Sequence, residues 1–254
     1  FDDPLYNEQY YLNNTGQLID GSVGIIDMDI DAPEAWTITK GNNIRVAVID
    51  DGVDLCPVHE DLLGNVLSGY TPNCKNNCDG RPQVCSNHGQ AVAGIIAANH
   101  NNIGIKGIAP NIKIVPFRIF ECNNYGNTIA KTNKDIGEAI NKAWDNFYCD
   151  ILSNSWGGGS PSNYITNAID NAYNYGRGGK GCIIVFSAGN SYSSVAYPAR
   201  LPSVLAVGAI DKYGIITNYS CYGNELDITA FGGYSDIRTT DRMGNTGYAN
   251  GNYY

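Results

Sequence analysis

The sequence predicts an α/β fold, a mostly parallel twisted sheet flanked by helices on both faces, and three observations point to it. Apolar, β-branched runs recur at 44–50, 112–120, 150–155, 182–187 and 203–209. Between several of them lie segments with amphipathic-helix spacing, and strands alternating with helices imply a parallel sheet covered on both sides. Apolar residues make up 43% of the chain and charged residues only 16%, which suits one large core and excludes a disordered polypeptide.

Taken in order, the first run, "IRVAVIDDGVD" at 44–54, has Ile44, Val46, Val48 and Ile49 fit for a core and then ends in Asp50 and Asp51. Two adjacent carboxylates cannot stay in a core without partners. Either the strand emerges into water there, or it delivers a carboxylate to a site. The polar, cysteine-containing segment 70–87 reads as a long loop or insertion. "GQAVAGIIAA" is a helix of small and aliphatic residues, expected against the sheet. After the run at 112–120 comes "KDIGEAINKAWDN", in which Ile136, Ala139, Ile140, Ala143 and Trp144 repeat at i, i+3, i+4, i+7 and i+8. "SNYITNAIDNAYNYG" repeats that spacing with Ile165, Ala168, Ile169, Ala172 and Tyr173. No internal repeat or linker splits residues 1–254, which read as a single domain.

A net charge of −9 argues against non-specific nucleic-acid binding, which needs basic surface. No apolar run reaches membrane-spanning length, and no leader pattern opens the sequence, so an exported protein would already have lost its signal. Eight cysteines, with Cys74, Cys78 and Cys85 close together, suit disulfides in an oxidising compartment, and hence a secreted, extracellular or periplasmic protein. The rival is zinc held by Cys74, Cys78, Cys85 and His88, at a spacing unlike the common zinc patterns.

Three polar groups stand where a parallel sheet collects its chemistry, at strand ends and helix starts. Asp50 closes the first run, His88 precedes Gly89 and the small-residue helix, and Asn190 ends "IVFSAGN" after a strand. A carboxylate, an imidazole and a carboxamide together suit nucleophilic acyl transfer: the acid orients the histidine, the histidine takes a hydroxyl proton, and the amide donates to the oxyanion. Asn190 could equally be a turn residue beside Gly189. His59 and His100 lack the following glycine and helix and are read as surface or loop residues.

These segments resemble the subtilisin-like serine proteases, the subtilases. "VAVIDDGVD" is similar to that family's aspartate motif, "NHGQAVAGIIAA" to its histidine motif, "ILSNSWGGG" to its cleft segment and "VFSAGN" to its oxyanion motif; "YPARLPSVLAVGAID" and "YSCYGNELDITAFGG" follow in the family's order. The resemblance covers roughly residues 3–240 and implies a three-layer subtilisin-like fold and a serine endopeptidase working through an acyl-enzyme. It assigns Asp50 as the triad acid, His88 as the general base and Asn190 as the oxyanion donor. It assigns Ser155, Trp156 and Gly157 on one side, with Ser187, Ala188 and Gly189 on the other, as walls for an extended peptide; Trp156 could equally be a core residue. Asp51 resembles the kexin and furin branch, where that acid helps to select basic side chains.

The pattern departs from the family in its nucleophile, because no Gly-Thr-Ser segment occurs in the sequence and Ser155, Ser187 and Ser220 fall in cleft or framework segments. Residues 1–254 are therefore expected to be one fragment of a longer protein, cleaved near Tyr254, with a complementary C-terminal peptide carrying the serine. The alternative is an inactive subtilase-like protein that grips peptides. Gln90 and Ala91 replace the family's threonine and second histidine. "AANHNNIGIKGIAP" resembles the family's calcium loop and implies a structural calcium held by Asp3, Asp61 and Asn101. The other reading of that segment is a polar loop held by Asn turns.

Overall fold

The computed structural model describes residues 3–233 and 236–254. A two-residue hairpin, β1 (Leu18–Ile19) with β2 (Ser22–Val23), and a short helix α1 (Ala32–Ile38) lead into β3 (Arg45–Asp50). Then follow α2 (His88–Ala97), β4 (Lys113–Arg118), the hairpin β5 (Phe120–Cys122) and β6 (Thr128–Ala130), and α3 (Asn133–Asp145). β7 (Ile151–Asn154), α4 (Asn163–Gly179), β8 (Ile183–Ser187), β9 (Leu205–Ile210) and β10 (Ile228–Phe231) complete the order. The five apolar runs of the sequence are thus β3, β4, β7, β8 and β9.

Six strands form one sheet in the order β10-β9-β8-β7-β3-β4, every pair parallel. Side chains of β3 alternate between its two faces, as the pleat requires. Ala47 and Ile49 join a core with Ile136, Ala139 and Ile140 of α3 and Ile165 and Ile169 of α4. Val46 and Val48 join a second core with Ala93 and Ala97 of α2. The result is the expected three layers, with helices on both faces.

The two long helices show how far periodicity reads. Ile136, Ala139, Ile140 and Ala143 of α3 and Ile165, Ala168, Ile169 and Ala172 of α4 are buried. Trp144 is only partly buried, and Tyr173, expected on the apolar face, is 52% exposed. At about 100° per residue, position i+8 lies roughly 90° from the centre of that stripe, on its edge.

The chain leaves β3 toward β4 on one side, while β7 lies against β3 on the other. Such a reversal opens a crevice beyond the carboxyl ends of the strands. Asp50 is the last residue of β3, and Asn154, paired in register with Ile49, is the last of β7. The site is therefore set at this switch point by topology. No helix among the described residues is long and apolar enough to cross a membrane.

Candidate active site

Asp50 is 3% exposed, and its backbone carbonyl accepts a hydrogen bond from the Ile119 N–H at 2.8 Å. Both its carboxylate oxygens lie 2.9 Å from Nδ1 of His88. The His88 ring is 48% exposed, so its far edge faces the cleft. The Asp50 hydrogen bond raises the His88 pKa above its ordinary 6.5; burial opposes the rise, and the charges of Asp50 and Asp51 add to it. The two adjacent acids first noticed in the sequence therefore emerge from the core onto one histidine.

Asp51 is equally buried, at 5% exposure, and faces the start of α2. Its carboxylate accepts the backbone N–H groups of Asn87, His88 and Gly89 at 2.9, 3.1 and 2.7 Å. Burial and then the Asp50 charge push its pKa up, while the Gly89 and His88 donors pull it down.

Gly89 permits this approach. A Cβ there would stand 2.4 Å from the Gly52 carbonyl oxygen and 3.2 Å from Asp50 Cβ. Because the nearest obstacle is backbone, Gly89→Ala is expected to cost about 1–3 kcal/mol. Chemical denaturation measures it; an unchanged midpoint would mean that the strand end and helix start are not in hard contact.

Around His88 lies a cavity of about 260 Å³ lined by Asp50, Asp51, Cys85, Phe120, Thr128, Ser155 and Tyr248. A neighbouring cavity of about 270 Å³ is lined by Asn154, Ser155, Ser187, Ala188, Gly189 and Asn190, among others. Ser155 belongs to both and joins them into one cleft. Gly189 adopts φ +113°, a conformation that glycine tolerates, and turns the chain so that Asn190 is exposed at the end of β8. Trp156 and Gly157 line neither cavity. Trp156 packs edge-on against Phe186 with ring centres 4.9 Å apart, and its buried indole N–H finds no acceptor among the described residues.

Sequence reasoning missed the wall opposite β7. Phe120 and Thr128 come from the β5–β6 hairpin, which a Cys85–Cys122 disulfide ties to the segment preceding His88. Its signal was present, as a Tyr-Gly turn between two short strand-forming runs, Phe120–Cys122 and Thr128–Ala130. A second disulfide joins Cys74 to Cys78, while Cys56, Cys149, Cys182 and Cys221 are free thiols. Cys74, Cys78 and Cys85 are consumed by disulfides, and no cluster of three or more His, Cys, Asp or Glu side chains forms among the described residues, so the zinc reading fails. Segment 71–87 contains no helix or strand.

His59 is a loop residue, as the sequence suggests, but not a surface one. It is fully buried: Nδ1 accepts the Asp61 N–H, Nε2 donates to the Asn252 carbonyl at 2.7 Å, and the ring meets Tyr253 edge-on. A histidine without a nearby glycine found its partners far along the chain, where sequence spacing gives no hint. His100 is half-buried, contacting the Gly107 carbonyl and Trp36. The Gln90 side chain is engaged at both ends: its oxygen accepts the Asp54 N–H and its amide donates to the Thr240 hydroxyl, which in turn donates to the Gln90 backbone carbonyl.

Asp3 and Asp61 come together away from the cleft, 4% and 0% exposed. Asp3 Oδ1 accepts the N–H groups of Asn101 and Asn102, and Asp61 Oδ2 accepts that of Ile105. The other oxygens, Asp3 Oδ2 and Asp61 Oδ1, are buried without a hydrogen-bond partner among the described residues; the Lys106 ammonium stands 3.8 Å from the former. Burial, with the Asp3 charge added, pushes the Asp61 pKa up to about 7.

The sequence model of the subtilase family matches residues 41–253. The chain belongs to the subtilase family. It is 39% identical over 201 residues to a thermophilic serine proteinase of Bacillus sp. (strain AK1), covering 78% of this chain and 46% of that protein. Thermitase of Thermoactinomyces vulgaris is 32% identical over 207 residues, covering 81% of this chain and 68% of thermitase. Among solved structures, a serine protease of Aeromonas sobria superposes with a TM-score of 0.80 at 26% identity, over 97% of this subtilase chain and 47% of that protein. The chain thus spans about half the length of two of these relatives.

Proposed function

We propose that this subtilase chain carries the acid, base and oxyanion donor of a secreted serine endopeptidase. The observation that supports it best is the short contact of both Asp50 oxygens with His88 Nδ1 at the rim of an open cleft. Asp50 fixes the tautomer with the proton on Nδ1 and stabilises the imidazolium. Nε2 is then free to take the proton of a nucleophilic hydroxyl as it attacks the peptide carbonyl, and to return it to the leaving amine. The Asn190 side-chain amide donates to the oxyanion. Ser155, Ser187, Ala188 and Gly189 provide backbone groups along which an extended peptide substrate can lie. The nucleophile is assigned to a segment outside these residues, a C-terminal peptide of the family's Gly-Thr-Ser type that completes the cleft. Disulfides support an oxidising, extracellular or periplasmic setting.

Expressing the full-length gene product and treating it with a serine-directed sulfonyl fluoride tests this. Hydrolysis of an unstructured protein, abolished by the reagent with one serine modified, is expected. Peptide binding without hydrolysis would favour the inactive peptide-gripping alternative. Since the base must be neutral to act, kcat/KM should fall as pH drops through an apparent pKa above 6.5. A limb at or below 6.5 in the pH–rate profile would contradict the Asp50–His88 assignment.

The second cluster is proposed to hold a structural calcium. Two buried carboxylates, each with an oxygen left without a hydrogen bond among the described residues, supply the hard oxygens that this ion prefers; the Asn101 side-chain oxygen, the third donor of this reading, also accepts the Ile103 N–H at 2.9 Å. Asp3, Asp61 and Asn101 would hold it; its role there is charge neutralisation, remote from the reacting groups.

A further inference from the structure

We infer that Asp51 is a positioning residue: it anchors the first turn of α2 and thereby fixes the backbone of His88, rather than facing substrate. This rests on the proposed protease reading for its consequences in turnover, and on geometry alone for the anchoring itself.

A helix start leaves its first N–H groups without intrahelical acceptors. Those of α2 need a partner, because Asn87, its N-terminal flanking residue, makes no side-chain capping bond. Asp51, 36 residues earlier in sequence, supplies it. Its Oδ2 accepts two of the N–H groups, from Asn87 and His88, and its Oδ1 accepts a third from Gly89. A carboxylate at a helix start is also favoured by the macrodipole.

The two neighbouring acids therefore hold one histidine from two sides. Asp50 holds the ring through Nδ1, and Asp51 holds the peptide units on either side of its Cα. They are also linked to each other, since the Asp51 N–H donates to Asp50 Oδ1 at 2.8 Å. Strand end, acid pair and helix start form one unit, and the missing Cβ of Gly89 lets them close up. An acid so engaged has spent three of its roughly four acceptor positions on backbone. At 5% exposure it has little surface to offer a substrate's ammonium or guanidinium group.

Asp51 also adds a negative charge beside the imidazole. The titratable groups facing His88 are Asp50 and Asp51 from the β3 end and Tyr248 from the C-terminal segment. The β5–β6 hairpin presents Phe120 and Thr128, and the loop before α2 presents the half-cystine Cys85, none of which is charged.

The test uses Asp51→Ala, Asp51→Ser and Asp51→Asn in the full-length protein. Two peptides are compared, identical except for lysine or alanine one position before the scissile residue. Asp51→Ala is expected to lose about tenfold or more in kcat on both peptides alike, with KM nearly unchanged, because His88 is misplaced. Asp51→Ser keeps an oxygen acceptor and should recover much of that loss. In Asp51→Asn the His88 imidazole, followed by NMR, should titrate at lower pH than in the wild type. A loss confined to the lysine peptide and expressed in KM would overturn the proposal and make Asp51 a specificity residue; so would unchanged hydrogen-exchange protection of the Asn87, His88 and Gly89 amides in Asp51→Ala. Should Asp51→Ala fail to fold, the serine and asparagine variants decide. Amide hydrogen exchange needs no turnover, so an inactive wild-type product would sink the protease reading while the Asn87, His88 and Gly89 amides still test the anchor.

Discussion

Asp50→Asn is expected to lower kcat by about 10⁴-fold, as the corresponding change does in unrelated serine-protease triads, equivalent to about 5 kcal/mol of transition-state stabilisation. The reason lies at Nδ1 of His88, which meets two carboxylate oxygens at 2.9 Å. An asparagine there can turn its NH₂ toward Nδ1. The imidazole then carries its proton on Nε2, the atom that must accept one. Removing the carboxylate also removes the largest influence raising the His88 pKa. Stability should move the other way or not at all, because the charge of Asp50 disfavours ionised Asp51 next to it. Steady-state kinetics with thermal unfolding, on the full-length protein, separates these effects. A loss below tenfold, or a fall in melting temperature that accounts for it, would show that Asp50 does not orient the base.

That pairing could be read from sequence because each member sits at a punctuation point. Asp50 interrupts an apolar run, and His88 stands immediately before a glycine and a run of small residues. The five strands were legible because their runs are near-continuously apolar, as in parallel sheets; β3 and β4 are buried almost throughout, while β7, β8 and β9 bury alternate residues more fully. β10 was not read as a strand. Its residues Ile228–Ala230 are exposed, and its strand identity comes from parallel pairing with β9, a partner the local sequence does not announce. α1, seven residues long, is too short for a periodic signal. The Asp51 orientation was hidden for a related reason, since its three donors lie 36–38 residues away. Likewise His59, read as a surface or loop residue, is buried by Asn252 and Tyr253 from the far end of the chain. Local chemistry named the proposed reacting groups; long-range packing decided which polar groups surround them.

Chelation by EGTA is expected to lower the melting temperature by about 10 °C relative to the calcium-saturated protein. A ligand at about 1,000 times its dissociation constant stabilises the folded state by about 4 kcal/mol. For a chain of this size each kcal/mol corresponds to about 2–4 °C. The physical origin is the pair Asp3 and Asp61, each with an oxygen buried without a hydrogen bond among the described residues, where Lys106 stands 3.8 Å from Asp3. Without a further cation, folding buries two carboxylates that the unfolded chain leaves in water, and their desolvation is only partly offset. Asp61→Asn separates this account from a general effect of chelator. Removing one of the two charges relieves the repulsion, so the variant in EGTA should melt no lower than the wild type in EGTA. It should also gain far less from added calcium, having lost a carboxylate ligand. Equal calcium responses in the two proteins, or no EGTA effect in the wild type, would mean that Lys106 and the backbone donors of residues 101, 102 and 105 suffice to balance the cluster.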